Sequence, residues 1–211
     1  MTDYIRDPAK IYEQSFETVR REANLSSLPS QMHDVAIRLI HACGMVDVLD
    51  DLAFSDGAVE AGISALEDGA DIICDVEMVR HGIIKRHLSA DNELLCAVGD
   101  EATRTLALKI ENTRSAAAMD LLMDRFRGAI IVIGNAPTAL FRVLELIDKG
   151  CPKPALIIGM PVGFVGAAES KDALIADNNG IPYIVVRGRR GGSAMASASL
   201  NALAAGLKGG L

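Results

Sequence analysis

Only four of the 211 residues are cysteine, and Cys43, Cys74, Cys96 and Cys151 lie too far apart to form a CxxC pair or any Cys/His ligand spacing. That scatter excludes the usual zinc signatures and predicts buried thiols in a reducing compartment rather than disulfides. Long apolar runs are also missing. No segment approaches the roughly 18 uninterrupted apolar residues of a membrane span, and the opening stretch Met1-Thr2-Asp3-Tyr4-Ile5-Arg6-Asp7-Pro8 has no apolar h-region. The expectation is a cytoplasmic protein without membrane contact. Positive charge is scarce: 21 lysines and arginines stand against 28 aspartates and glutamates, a formal net charge of -7. Nucleic-acid binding, which draws its affinity from neutralised phosphates, is therefore not expected, and any anionic ligand must be met by local cations.

Familiar catalytic signatures are absent too. Lys171-Asp172 lacks the preceding spacing of a P-loop, no GxGxxG follows a first strand, and there is no GxSxG elbow and no HExxH. Such sparse chemistry suits a reaction that needs one proton donor and a shaped cavity.

What is present is a chain that is 50% hydrophobic and of a length suited to one well-buried domain, 1–211. Short apolar runs at 71–75, 94–98, 129–133, 155–158 and 183–186 read as strands and alternate with helical patterns. Continuous apolar strands between helices indicate a parallel sheet covered on both faces. The predicted class is α/β, a three-layer α/β/α fold with a mainly parallel, roughly five-stranded sheet.

Among the helices, Asp7 and Pro8 supply the cap and first position of one that carries Ile11, Ser15 and Val19 on a single stripe. A second helix is predicted from Ser30, as its N-cap, to Cys43, with Gly44 ending it in the left-handed conformation. His41 then sits in the last turn, where the terminal carbonyls favour imidazolium over imidazole by about 0.3 to 1 kcal/mol. A proton donor and a simple helix cap both fit that position. His81-Gly82 repeats the pattern, so a helix end alone is a weak signal. A long helical stretch at 103–127 is interrupted near Asn112, and Arg114 opens its second half.

Three loops after predicted strands are rich in small residues: Gly134-Asn135-Ala136-Pro137-Thr138, Gly159-Met160-Pro161-Val162-Gly163-Phe164-Val165-Gly166, and Gly188-Arg189-Arg190-Gly191-Gly192-Ser193. Glycine lets backbone approach a ligand, and the N–H groups of the following helix starts attract carboxylates or phosphates. Three such loops at one sheet edge suit a broad ligand with several negative groups.

Several separated segments agree with one family. Tyr12-Glu13-x-Ser15-Phe16, Ile40-His41-Ala42-Cys43-Gly44, Asp75-x-Glu77-Met78-Val79, Asn112-Thr113-Arg114-Ser115-Ala116-Ala117, Ile133 to Leu140, Gly159 to Lys171 and Gly188-x-x-Gly191-Gly192-Ser193-Ala194 occur in order over nearly the full length. On them the chain resembles the precorrin-8X methylmutases (precorrin isomerases) of cobalamin biosynthesis. The resemblance implies a cofactor-free isomerase that moves a methyl group from C-11 to C-12 of a tetrapyrrole, turning precorrin-8X into hydrogenobyrinate. It implies His41 as the catalytic acid and Ser15 and Arg114 as substrate contacts. Asn135, Pro137, Thr138, Gly163, Lys171, Gly191, Gly192 and Ser193, in the matched loops, become further substrate-binding candidates. It also implies a homodimer in which Arg114 is the residue to reach the neighbouring subunit's site, and hand-over of the product to neighbouring pathway enzymes. The rival readings are the same rearrangement on the cobalt-containing substrate, a noncatalytic tetrapyrrole carrier and a nucleotide-binding regulator.

Overall fold

The computed structural model describes residues 4–88 and 91–206; the first three residues of the opening stretch and the last five of the expected domain lie outside the described residues. In chain order the elements are α1 (Pro8–Glu22), α2 (His33–Cys43), β1 (Leu52–Phe54), α3 (Ala58–Glu67), β2 (Ile72–Cys74), α4 (Glu77–Gly82), β3 (Leu94–Leu95), α5 (Glu101–Lys109), α6 (Arg114–Leu122), β4 (Ile130–Ile133), α7 (Pro137–Asp148), β5 (Leu156–Gly159), α8 (Ala167–Ala176), β6 (Tyr183–Val186) and α9 (Ser193–Gly206). Short 3₁₀ turns fill several of the connections.

The strands form one sheet in the order β1-β6-β5-β4-β2-β3. Five of them are parallel, as the alternating pattern predicts. The sixth corrects the expected strand number: β1 pairs antiparallel to β6, with Ala53 opposite Val185. Three half-buried residues following an acidic 3₁₀ turn give no strand-length apolar run, which is why the sequence pattern does not announce this edge.

Both faces of the sheet are covered. Ile130 and Val132 point into the core shared with α2, α3 and α9, whereas Ile131 and Ile133 point into the core shared with α6 and α7. A strand buried on both faces has no polar alternation, so β4, β5 and β6 read as unbroken apolar runs. Alanines 116, 117 and 118 are fully buried and let α6 pack closely on α7.

Two helix starts differ from expectation in an instructive way. Asp7 caps α1 as predicted, its Oδ1 accepting from the N–H of Ala9 at 2.9 Å, with Pro8 in the first position. Ser30 does not cap α2. It opens a 3₁₀ turn (Ser30–Met32) that runs straight into the helix, and its hydroxyl lies 3.5 Å from Gln31 Oε1. Because Met32 already has helical backbone angles, there is no extended cap position for a serine side chain to close. The other end is as read: Gly44 has φ 71°, and its N–H donates to the Ile40 carbonyl at 2.7 Å.

Candidate functional site

α1 and α2 pack together through Phe16, Val19, Ile37 and Ile40, which brings the Ser15 side of one helix against the C-terminal turn of the other. There Ser15 Oγ lies 2.8 Å from His41 Nδ1. The imidazole is held on two further sides by α1. The Tyr12 ring is tilted 30° to it at a centroid distance of 5.4 Å, and Phe16 meets it edge-on at 5.3 Å. Behind Phe16, the Arg38 guanidinium carbon stands 5.7 Å from that ring's centroid. Burial lowers Arg38 below the ordinary arginine range, against the pull of Asp34 and Tyr12. Tyr12 and Phe16 are site residues that a search for acids and bases overlooks. Their signal lies in the spacing, since positions 12, 15 and 16 share one helical face.

His41 and Ser15 line a cavity of about 390 Å³ together with Ile11, Thr18, Ile40 and Val46. That volume lies toward the lower end of the roughly 300–1,000 Å³ typical of drug-sized ligands. A tetrapyrrole with its side chains would project out of it.

The remaining predicted residues stand elsewhere, in two groups. Arg114 is exposed at the first position of α6, whose N-cap Thr113 accepts from the Ala116 N–H at 3.1 Å and shares a 2.7 Å hydrogen bond with Thr138. Beside Thr138 are half-buried Pro137 and exposed Asn135. This loop is organised by a residue for which the sequence reading gave no role: Asp75, fully buried at the end of β2, accepts the N–H groups of Gly134, Asn135 and Ala136 at 2.9, 2.9 and 2.7 Å. Burial pushes its carboxyl up while those three donors pull it down. A carboxylate as the last residue of the predicted strand 71–75 was the available clue.

The second group is the pair of loops after β5 and β6. Lys171, expected at the substrate, is fully buried and does other work: its Nζ donates to the carbonyls of Pro161 (3.1 Å) and Arg190 (2.6 Å), one from each loop. Burial lowers its amine to about 8. Gly163 donates to the Arg189 carbonyl at 3.2 Å and Gly192 to that of Met160 at 2.8 Å. Gly191 runs so close to this backbone that a Cβ would strike the carbonyl oxygens of Met160 and Pro161. Ser193 is buried at the head of α9. Arg190 then links the loops to the 3₁₀ turn that follows the helix of His41, its Nη2 lying 2.6 Å from Oδ2 of Asp47, the neighbour of cavity residue Val46.

The scattered cysteines are all free, but only Cys74 is buried as expected, Cys43, Cys96 and Cys151 being half-buried. Burial raises Cys74, and it pushes Cys96 up to about 11, which leaves both poor nucleophiles. His81, the other histidine at a helix end, is spent on Glu77, its Nδ1 being 2.8 Å from that residue's carbonyl oxygen.

The model of the precorrin-8X methylmutase family matches residues 10–205. The chain belongs to this family. It is 56% identical over 204 residues to the precorrin-8X methylmutase of Pseudomonas aeruginosa, covering 97% of this chain and 98% of that one. It is 53% identical over 202 residues to the precorrin-8X methylmutase of a Sinorhizobium species, covering 96% of each. Cobalt-precorrin-8 methylmutases are among the more distant relatives. The crystal structure of the precorrin-8X methylmutase of Thermus thermophilus superimposes with a TM-score of 0.86 at 36% identity, over 96% of this chain and 98% of that one. As a member of this family of methylmutases, the protein is an isomerase of cobalamin biosynthesis. Among the described residues no helix is long and apolar enough to cross a membrane.

Proposed function

We propose that this methylmutase acts on precorrin-8X, moving the methyl group from C-11 to C-12 to give hydrogenobyrinate, with His41 as general acid. The observation that carries the reading is the Ser15–His41 pair, set against Tyr12 and Phe16 and lining a cavity of about 390 Å³. In the shift, the C-11–methyl bond breaks as the C-12–methyl bond forms, so substrate and product are isomers and no atom is lost. A proton lent by His41 to a ring nitrogen draws electron density from the migrating centre, and the same proton returns when the product leaves. A positioned acid of this kind contributes about a hundred- to ten-thousand-fold.

Two features support a site shared by two subunits. The His41 cavity is lined by none of Arg114, Asn135 or Thr138, yet a substrate with many carboxylates needs cations and N–H donors around its rim. A homodimer with Arg114 of each protomer facing the other's His41 cavity supplies them. The metal-free substrate is favoured because the relatives at 56% and 53% identity are named precorrin-8X methylmutase. The enzyme would work in the cytoplasm and pass its product to the next enzyme of the pathway.

Turnover of precorrin-8X and of its cobalt form, followed by absorption, tests this reading. His41→Ala should bind pigment but lose the spectral change of rearrangement, and mixing His41→Ala with Arg114→Ala should restore about a quarter of the wild-type sites if subunits exchange at random. Preferential use of the cobalt form would reassign the substrate. Pigment binding without product by the unmutated protein would make it a carrier, and full activity of His41→Ala would remove His41 as the acid.

A further inference from the structure

The loop between β5 and α8 presents Phe164 and Val165 at 86% and 88% exposure, the two most exposed large apolar side chains among the described residues. A flexible tip could explain such exposure, but this loop is fixed at its root. Gly163 is bonded to Arg189, Met160 accepts from Gly192, and the buried Lys171 ties Pro161 to Arg190. Gly163 and Gly166, at φ 141° and 80°, take backbone angles that turn the intervening dipeptide outward. An apolar pair held rigidly in water marks a surface that binds something.

Three observations say what. The loop follows a parallel strand at its carboxyl end, the edge at which open sheets of this kind receive small ligands. The Arg189 guanidinium carbon stands over the Phe164 ring, 5.3 Å from its centroid, so a cation covers one face of a ring that is otherwise exposed. The Arg190–Asp47 ion pair joins this loop system to the segment beside Val46, a wall residue of the His41 cavity. A flat conjugated ring with a carboxylate rim matches that pairing.

We infer that Phe164 and Val165 form a platform on which one face of the macrocycle rests, with Arg189 meeting a carboxylate at its edge. This rests on the tetrapyrrole reading above and gives a role to Phe164 and Val165, which lie in one of the matched loops but not among its substrate-binding candidates. Phe164, Val165 and Arg189 are not among the residues that line the His41 cavity, so the platform would supply ring-bearing area that the cavity alone lacks. Stacking a planar ring on an aromatic side chain is lost on truncation to alanine at a cost in affinity of about tenfold.

Hydrogenobyrinate itself is the probe, titrated into the full-length protein and followed by the pigment's absorption. Phe164→Ala is expected to raise its Kd about tenfold with an unchanged melting temperature and unchanged sedimentation, and Phe164→Trp to restore near-wild-type affinity. Equal Kd for wild type and Phe164→Ala would overturn the platform while leaving the tetrapyrrole reading intact. A Phe164→Ala protein that sediments as a smaller species, with affinity regained at high protein concentration, would overturn it in favour of a contact between copies of the chain. If the wild-type protein binds no hydrogenobyrinate, the tetrapyrrole reading fails and the platform falls with it.

Discussion

Ser15 Oγ and His41 Nδ1 stand 2.8 Å apart although 26 residues separate them in the chain. The hydroxyl occupies Nδ1 and leaves Nε2 as the nitrogen that can meet a ligand. After Nε2 gives up its proton the neutral ring keeps its hydrogen on Nδ1, so the Ser15 hydroxyl accepts from Nδ1 in both charge states and the pair persists through a cycle of proton release and return. Ser15→Ala should therefore keep the fold and lower kcat about tenfold to hundredfold, with a smaller change in KM, because the ring loses its fixed orientation. Steady-state kinetics check this, and an unchanged kcat would leave Ser15 with a role in packing alone.

Asp75 shapes a different part of the site. Its buried carboxylate is the acceptor for three consecutive N–H groups at the start of α7. Asparagine keeps one oxygen but turns an amide N–H₂ toward donors that then have no acceptor. Asp75→Asn is expected to cost about 2 to 4 kcal/mol and to lower the melting temperature by several degrees. A thermal melt indistinguishable from wild type would show that the loop holds its shape without this carboxylate.

The sequence reveals the sheet and its helices because their signals are local. β4, β5 and β6 are unbroken apolar runs, and Gly44 marks the end of α2. The edge strand β1 stays hidden because its three half-buried residues owe their strand conformation to pairing with β6, more than 120 residues away. Site chemistry divides along the same line. His41 is suggested by its helix end, but its bond to Ser15 depends on how α1 crosses α2. Lys171 illustrates the opposite outcome. A lysine near glycine loops reads as an anion ligand, whereas the fold buries it and directs its amine to main-chain carbonyls.

Gly191 offers a test of how tightly the two loops are joined. A methyl group there would meet two backbone carbonyl oxygens, which cannot swing aside as a flexible side chain can. Gly191→Ala should cost about 1 to 3 kcal/mol and raise KM by displacing the Gly163 loop. Gly99→Ala is the matched control, since a Cβ at Gly99 finds nothing within 4 Å. Equal melting temperatures for the two variants would mean that the loops separate freely.

The buried Lys171 makes stability depend on pH in a defined direction. Its amine falls from an ordinary value of 10.5 to about 8 in the folded chain, because burial penalises the charged form. Between those two values the unfolded chain still binds the proton that the folded chain has released, so stability rises with pH across that window. Below about 8 both states are protonated and the slope vanishes. The neutral amine keeps two N–H donors, enough for the carbonyls of Pro161 and Arg190, so the link between the loops survives deprotonation. Lys171→Met removes both the links and the titration. The stability difference between wild type and Lys171→Met should therefore widen from about pH 8 toward pH 10. Denaturant melts of the two proteins at matched pH measure it, and subtraction cancels the alkaline titration of every other group. A difference that stays flat over that range would place the ammonium in contact with water rather than in the interior.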